Sequence, residues 1–350
     1  MSGKTGTITF HWATNYGGVL QAWALQQALL KLGEDTEIID FVPERVRFLI
    51  VLKDLIDRSF GEFKKERSIA RFRKEHLILS RRYGNTRALK KAGHDYKRII
   101  TGSDQVWNYS LITSYGKKPM LSYFLDFAEE GVKRYSYATS FGANKMPADY
   151  AGMVRGELEK FKAISVREDT GRDIVSDIGF DSRVVCDPTA LLTAEDYNKL
   201  IPEKKAAEPY IYSYVIHKGQ HTAKAVEAAV RELYPAMRFR STSNNEGVEE
   251  WLRSIRDASL FVTNSFHGVM VSLILGTPFI VVPVEGWDMN ARIENVLSST
   301  GSLERLVLSA DLETVRRAAE AQADRKSVLA SLEKMRNEGL AFLRECLRED

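Results

Sequence analysis

The sequence predicts an α/β protein of two Rossmann-like domains with parallel sheets, facing each other across a cleft. At 350 residues the chain exceeds the usual size of one domain, so two domains of about 150 to 200 residues are expected. Strand and helix patterns alternate from the N-terminus onward, which is typical of parallel sheets covered by helices. A second alternation begins after the polar, proline-bounded segment 202–209, which is the best candidate for a linker.

The chain opens with a βαβ unit. Residues 7–10 form the first predicted strand, 19–32 an amphipathic helix that Gly33 ends, and 37–41 the next strand. Residues 11–18 are predicted to be a turn. Their two glycines lack the GxGxxG spacing, so no nicotinamide or flavin cofactor is indicated, although Asn15 and Gln21 could hydrogen-bond a ligand that comes close to the backbone. The alternative is a plain tight turn.

Polar residues follow two later strands of the first domain. The predicted strand 98–102 ends at Ser103-Asp104-Gln105, a segment rich in groups that bind sugar hydroxyls, and ligands of doubly wound sheets lie beyond such strand ends. Arg167 follows the strand 163–166, where its guanidinium could hold a carboxylate or phosphate. The alternatives are that Asp104 is only a cap and that Arg167 pairs with a neighbouring acidic residue.

Residues 44–98 hold seventeen Lys or Arg against seven Asp or Glu. A basic helical face is most often simply solvated. The alternative is a surface for an anionic partner, such as a phospholipid headgroup or a diphosphate-linked substrate. The apolar run 48–52 beside these charges is compatible with contact at a membrane surface.

The second domain contains the most informative stretch, a buried strand at 260–263 followed by a helix at 265–275. The start of such a helix offers free N–H groups and the positive end of the helix dipole, so it can bind an anion. Asn264 or Ser265 would cap the helix and His267 would lie in its first turn. The alternative is an ordinary cap with no ligand.

The domain limits predicted from these patterns are 1–200 for the first domain, expected on the acceptor side, and 209–310 for the second, expected on the donor side. Residues 311–350 are predicted to be a helical tail that braces the two domains.

Composition excludes several classes of protein. The net charge of +3 is too small to imply a nucleic-acid partner. Cys186 and Cys346 lie far apart and no HExxH or CxxC pattern occurs, so neither a disulfide framework nor a metal site is predicted. No apolar run is long enough for a signal peptide core or a membrane span, so we expect a soluble cytoplasmic protein, with peripheral membrane contact as an option.

Six segments in sequence order resemble the polysaccharide pyruvyl transferase family. They are NYGGVLQA at 15–22, GSDQVWN at 102–108, SYATSFG at 136–142, SVRE at 165–168, DPT at 187–189 and NSFHG at 264–268. The resemblance covers about residues 6–300 and implies a GT-B-like pair of domains. It also implies transfer of an enolpyruvyl-derived group from phosphoenolpyruvate to a sugar hydroxyl pair, giving a pyruvate ketal and phosphate, with no cofactor.

The resemblance also implies roles for individual residues. Better-described members have Arg-Leu-His where this chain has Ser265-Phe266-His267, so one anion-binding arginine is missing, and Arg292 or Lys218 could replace its charge. His267 is expected to act as general acid and Asp104 as base or anchor for the acceptor. The expected donor-binding residues are Arg167, Asn264, Ser265, Phe266, Gly268, Arg292 and Lys218. The expected acceptor-binding residues are Asn15, Tyr16, Gly17, Gln21, Ser103, Gln105 and Trp107.

The expected partners are phosphoenolpyruvate and a sugar or lipid-linked oligosaccharide, the precursor of a cell-surface polysaccharide such as a capsule or exopolysaccharide. Two other functions stay open. A GT-B glycosyltransferase that uses a nucleotide sugar would need a carboxylate for the ribose, and Glu285 or Asp288 could supply it. A binding protein that kept the fold and lost the chemistry is the second.

Overall fold

The computed structural model of the chain describes residues 3–43, 60–114, 120–201, 208–216, 221–242, 246–284 and 290–348. The chain divides into two compact units. The first comprises Met1–Leu192 and Met335–Asp350, and the second comprises Thr193–Lys334. The first unit thus ends before the predicted limit at residue 200, and the second continues past the predicted limit at residue 310. Most of the predicted linker, residues 202–207, lies outside the described residues.

The first unit is built on a parallel sheet. Its strands pair in the order β2-β1-β3-β4-β6-β7, with β5 also paired to β4. The described strands are β1 Thr5–Ile8, β2 Thr36–Ile38, β3 Arg98–Asp104, β4 Lys133–Thr139, β5 Phe161–Ala163, β6 Ser165–Val166 and β7 Arg183–Val184. Since every pairing is parallel, the carboxyl ends of all these strands lie along one edge.

Helices connect these strands. They are α1 Tyr16–Lys31, α2 Phe60–His76, α3 Thr86–Lys90, α4 Tyr109–Ser114, α5 Ala148–Leu158 and α6 Asp169–Ile178. Helix α1 begins three residues earlier than the pattern predicts, because Asn15 Oδ1 accepts the N–H of Gly18 at 2.5 Å and so caps the helix. The predicted turn is therefore shorter, and Gly17 belongs to the first turn of the helix.

The second unit has its own parallel sheet, in the order β11-β10-β8-β9. The strands are β8 Tyr210–Tyr214, β9 Arg238–Ser241, β10 Leu260–Thr263 and β11 Phe279–Val281. The helices are α7 Ala194–Leu200, α8 His221–Leu233, α9 Val248–Arg256, α10 Phe266–Leu275, α11 Asn290–Ser299, α12 Leu312–Glu320 and α13 Arg325–Arg348. The prediction of two α/β units with parallel sheets is confirmed.

The predicted helical tail is two helices rather than one. Helix α12 ends at Glu320, and Asp324 then accepts hydrogen bonds from the backbone N–H and hydroxyl of Ser327 in the first turn of α13. Helix α13 starts in the second unit and its residues from Met335 belong to the first. Its predicted bracing role stays a prediction.

The end of α13 completes a core of the first unit. Phe342, Leu343 and Cys346 are buried against Tyr137 and other apolar side chains of that unit. Gly339 lies where a Cβ atom would be 2.5 Å from the hydroxyl oxygen of Tyr137 and 2.8 Å from a methyl carbon of Leu191. A close helix-to-sheet contact therefore requires glycine at this position. None of the described helices is both long and apolar enough to cross a membrane.

Replacing Gly339 with Ala is expected to lower the free energy of unfolding by about 1–3 kcal/mol, because the new methyl group overpacks a filled contact. The matched control is Gly152→Ala in α5, where a Cβ meets nothing within 4 Å and better helix propensity should stabilise by up to about 1 kcal/mol. Urea unfolding of the two variants measures both changes. Equal stabilities for Gly339→Ala and wild type would show that α13 does not pack as described.

Candidate functional site

A buried arginine lies at the carboxyl edge of the first sheet. The side chain of Arg167 is 2% exposed, and its Nη1 donates a hydrogen bond to Asp187 Oδ2 at 2.9 Å. Glu168 Oε2 lies 3.5 Å from Nε and Asp104 Oδ1 lies 3.8 Å from Nη2. One guanidinium thus stands among three carboxylates.

The three carboxylates keep the Arg167 guanidinium charged. Burial alone would lower the pKa of Arg167, but Asp187, Glu168 and Asp104 outweigh it and raise that pKa above its usual value. The carboxylate of Asp187 is also saturated with donors. Its Oδ1 accepts from the N–H and hydroxyl of Thr189 at 3.0 and 2.7 Å. Its Oδ2 accepts from the Ser103 hydroxyl at 3.1 Å.

Asp104 is the most accessible of the three carboxylates. Its side chain is 18% exposed, against 9% for Glu168 and none for Asp187. Its φ of +70° places a non-glycine residue in the left-handed region, a conformation that concentrates at functional sites. A carboxylate held at a strand end beside a fixed cation can accept a proton or a hydroxyl hydrogen bond from a ligand.

The surroundings of Arg167 suit a different role from the predicted donor contact. In the described arrangement three carboxylates compensate the charge of its guanidinium, and the predicted contact with a donor stays a prediction. In the described arrangement Arg167 instead fixes the strand ends that present Asp104. The alternative of a structural pair with a neighbouring acidic residue agrees with the contact to Glu168, although the principal partner, Asp187, is more distant in sequence.

Two aromatic residues predicted to bind the acceptor lie in the core. Trp107 is wholly buried, donates its indole N–H to the carbonyl oxygen of Tyr123 at 2.9 Å and stacks on Phe124 with ring centroids 4.9 Å apart. Tyr16 is also wholly buried, with Lys65 Nζ 4.5 Å from its ring centroid. Packing covers both rings in the described structure, so neither has exposed surface for the predicted contact with a sugar.

The amide of Gln21 joins the ends of β1 and β3. Its Nε2 donates to Thr9 Oγ1 at 2.8 Å and to the Gly18 carbonyl at 2.9 Å, and Thr9 donates to the Ser103 carbonyl at 3.0 Å. Both contacts need the nitrogen, so Gln21 Oε1 is left without a hydrogen-bond partner among the described residues. This buried acceptor is a group that a ligand hydroxyl would satisfy.

The other predicted acceptor residues have local partners. Asn15 is exposed and caps α1. Gln105 Oε1 accepts from Asn108 Nδ2 at 2.9 Å. The hydroxyl of Ser103, besides its bond to Asp187, also lies 3.0 Å from the carbonyl oxygen of Ala138. Ser103 therefore contributes to the structure of the strand end.

In the second unit, Asn264 ties the end of β10 to the end of β8. Its Oδ1 accepts the N–H of Ile216 at 2.6 Å, and its Nδ2 donates to the carbonyl of the same residue at 2.9 Å. The side-chain amide is used by backbone on both sides. Asn264 therefore positions this loop, and its predicted contact with a donor stays a prediction.

Ser265 is the N-cap of α10, one of the two residues predicted for that place. Its Oγ accepts the N–H of Gly268 at 3.2 Å, and its own N–H donates to Thr263 Oγ1 at 3.0 Å. A Cβ atom at Gly268 would lie 3.0 Å from Thr263 Oγ1 and 3.1 Å from the ring of Phe261. Glycine therefore lets the first turn of α10 pack closely on β10.

Three side chains gather at the start of α10. The guanidinium of Arg292 lies 5.7 Å from the ring centroid of Phe266, and the rings of Phe266 and His267 are 5.4 Å apart, edge to face. The guanidinium of Arg292 thus lies beside the start of α10, where the sequence departs from the family pattern at Ser265. Lys218, Glu285 and Asp288 lie outside the described residues.

A polar cluster that the sequence patterns did not predict lies beyond the end of β1. His11 is 1% exposed, with Nε2 3.0 Å from Asp40 Oδ1 and Nδ1 3.2 Å from the Thr9 carbonyl oxygen. Arg82 Nε donates to Asp40 Oδ2 at 2.9 Å. Burial acts to raise the pKa of Asp40, but His11 and Arg82 outweigh it and hold that pKa below its usual value. A histidine directly after a predicted strand was the available signal.

Comparison with known proteins identifies the family. Residues 15–286 match the family model for polysaccharide pyruvyl transferase. The chain belongs to the polysaccharide pyruvyl transferase family. This confirms the resemblance seen in the six segments of the sequence. No curated protein was found to match the chain.

Solved structures show the same fold at low sequence identity. A UDP-N-acetylglucosamine 2-epimerase from Rickettsia bellii is similar with a TM-score of 0.54 and 8% identity, covering 100% of this chain and 97% of that one. A glycosyltransferase from Rickettsia africae ESF-5 has a TM-score of 0.54 and 12% identity, covering 100% of both chains. A UDP-GlcNAc 2-epimerase from Neisseria meningitidis, bound to UDP-GlcNAc, has a TM-score of 0.52 and 10% identity, covering 99% and 100%. These likenesses confirm the GT-B-like fold.

Replacing Asp187 with Asn is expected to lower the free energy of unfolding by about 3 kcal/mol, because it removes the principal counter-charge of a buried arginine. The control is Asp169→Asn, which breaks an exposed pair with Arg172 at 2.7 Å and should change stability by less than about 1 kcal/mol. Chemical denaturation at neutral pH compares the two variants. Similar losses in both would mean that the Asp187 pair is no more important than an exposed one.

Proposed function

We propose that this family member transfers a pyruvyl group from phosphoenolpyruvate to two hydroxyl groups of a sugar. The products are a pyruvate ketal and free phosphate, and the sugar is a cell-surface polysaccharide or its precursor, such as that of a capsule or exopolysaccharide. Membership of the family supports group transfer to a saccharide. The donor and the ketal chemistry are those that the resemblance to the family implies, and the residues at the two sheet edges suit them.

The observation that carries the proposal is the group of side chains at the start of α10. Ser265 caps the helix, His267 lies in its first turn, and Arg292 packs on Phe266 between them. The positive end of a buried helix and a guanidinium together suit a small ligand with a carboxylate and a phosphate. The donor therefore binds in the second unit, and Arg292 supplies the charge missing at Ser265.

The reaction needs defined proton movements. A proton is added to the methylene carbon of the donor, which becomes the methyl group, and the first sugar oxygen then bonds to the adjacent carbon. The bond from that carbon to the phosphate oxygen breaks and the second sugar oxygen takes its place. The two hydroxyl groups lose two protons, of which one balances the methyl group and the other leaves with phosphate.

His267 and Asp104 are the residues proposed for these transfers. His267 acts as general acid toward the donor, because an imidazole can give up a proton near neutral pH. Asp104 accepts a proton from the acceptor hydroxyl, and Arg167 fixes its position.

Phosphate release from phosphoenolpyruvate, measured with a panel of sugar and lipid-linked acceptors, tests the proposal directly. Acceptor-dependent release and a new ketal carbon in the product are expected. Failure of every acceptor, together with no binding of phosphoenolpyruvate, would refute it.

Replacing His267 with Ala is expected to reduce turnover by about 10²–10⁴-fold, because it removes an acid, while the protein stays folded with the loss of one ring contact, that with Phe266. The matched control is His221→Ala, an exposed histidine at the start of α8 in the same unit. The steady-state rate of phosphate release is the measurement. Near-wild-type turnover of His267→Ala would remove it from the mechanism.

A thermal-shift comparison separates this proposal from a nucleotide-sugar glycosyltransferase. Phosphoenolpyruvate should raise the unfolding temperature, and Arg292→Ala should reduce that rise because one charge at α10 is lost. Nucleoside diphosphates should have a smaller effect at the same concentration. Stabilisation by UDP and none by phosphoenolpyruvate would favour the glycosyltransferase, and stabilisation by neither would favour a non-catalytic protein.

A further inference from the structure

A basic cluster lies on the ligand edge of the first unit, apart from the residues of the proposed donor and acceptor sites. We define it as His11, Arg73 and Arg82, with Asp40 among them. His11 follows β1 and Asp40 follows β2, so both lie at the carboxyl edge of the sheet. Helix α2 brings Arg73 to the same place, where its Nη1 donates to the Trp12 carbonyl oxygen at 2.7 Å.

The cluster carries more positive than negative charge. His11 contacts Asp40 Oδ1 through Nε2 and the Thr9 carbonyl oxygen through Nδ1. Arg73 and Arg82 are thus two permanent cations that act on one buried carboxylate, that of Asp40. Lys65 lies over the ring of Tyr16, a residue of the first turn of α1, and Glu66 acts electrostatically on Arg73. The wider group therefore holds three permanent cations and two carboxylates.

Arg73 is the member whose charge is least compensated. Its hydrogen bond goes to a neutral carbonyl, and no carboxylate of the described residues lies within salt-bridge distance of it. Burial lowers the pKa of Arg73, and Glu66 and Asp40 offset this only in part while Arg82 adds to it. An anion bound by both Arg73 and Arg82 would compensate the buried charge of Arg73 and reduce the repulsion between the two guanidinium groups.

The cluster is accessible and adjacent to the proposed acceptor site. The side chain of Arg82 is 57% exposed, and the neighbouring loop residues Thr14 and Asn15 are exposed. Strands β2, β1 and β3 are consecutive in the sheet, and Asp104 ends β3. Neighbouring strands are about 4.8 Å apart, so a group bound beyond β1 and β2 lies about 5 to 10 Å across the sheet from the end of β3.

We propose that this cluster binds the phosphate groups of the acceptor, with Arg73 and Arg82 as the two charged donors. The acceptor is then a glycosyl diphosphate rather than a neutral sugar, with its sugar toward Asp104. Arginine suits this ligand because its planar fork donates two parallel hydrogen bonds to phosphate oxygens. This acceptor assignment rests on the proposed function, whereas binding of the phosphate groups can be measured without it.

The test is calorimetric titration of the full-length protein with inorganic pyrophosphate. Wild type should bind it, and Arg82→Gln should weaken binding by about tenfold or more, since a charged hydrogen bond is lost. The matched control is Arg71→Gln, an exposed arginine of α2 whose Nε lies 4.0 Å from Glu75, and it should bind as wild type does. Equal affinities of the Arg82 and Arg71 variants would overturn the proposal.

Two further measurements distinguish binding at the cluster from a loss of folding or binding at another place. Arg73→Gln should weaken pyrophosphate binding as Arg82→Gln does, even if one variant is less stable, and circular dichroism shows whether each is folded. Pyrophosphate binding that is lost in Arg292→Ala and retained in both cluster variants would place the ligand at α10 and overturn the proposal. Arg82-dependent binding to phosphatidylglycerol vesicles without pyrophosphate binding would also overturn it, in favour of a lipid headgroup.

Steady-state kinetics with two kinds of acceptor distinguish a failure of this proposal from a failure of the proposed function. Arg82→Gln should raise the KM for a glycosyl diphosphate acceptor about tenfold, leave kcat within about twofold, and leave phosphate release with a neutral sugar unchanged. If no acceptor gives turnover, the proposed function fails while the pyrophosphate titration still decides whether the cluster binds phosphate. Equal KM changes for neutral and diphosphate acceptors would refute the assignment of the acceptor.

Discussion

The arrangement of the first unit depends on one buried ion pair, Arg167 with Asp187. A guanidinium without a partner cannot be kept in a protein interior, so the surrounding groups must satisfy it. Ser103 at the end of β3 and Thr189 beyond β7 hold Asp187 in place, and Arg167 follows β6. The pair therefore fixes the carboxyl ends of separate strands relative to one another, and the position of Asp104 follows from it. An ion pair thus holds together the strand ends at the proposed acceptor edge.

In the second unit, the end of β10 is held in place by neutral groups rather than by a buried ion pair. Asn264 binds the backbone of Ile216 and Ser265 caps α10, so neutral groups organise the end of β10. The positive end of α10 is left uncompensated by any acidic residue in its first turn, and Arg292 adds a cation beside it. The end of β3 presents a carboxylate, that of Asp104, and the start of α10 presents positive charge. This difference is the reason for proposing a hydroxyl acceptor at Asp104 and an anionic donor at α10.

Strand β10 was predicted at its observed limits, because four buried β-branched or apolar residues precede a capping side chain. The local sequence pattern also predicted the cap at Ser265 and the end of α10 at Leu275. It failed where a residue has two plausible environments. Trp107 stands in a polar segment, yet its ring turns inward to stack on Phe124, and only the tertiary packing decides this. His11 was passed over as part of a turn, because its partners Asp40 and Arg82 are distant in sequence. Contacts between distant residues, not local patterns, created the features that sequence reasoning missed.

The return of α13 to the first unit has a consequence for synthesis of the protein. Phe342, Leu343 and Cys346 are part of a core of that unit, although most of its residues precede position 193. On the ribosome, the first unit must wait with an incomplete core until these last side chains emerge. The second unit is continuous in sequence and can close its own core earlier. Synthesis of the first unit thus begins before that of the second and is completed after it.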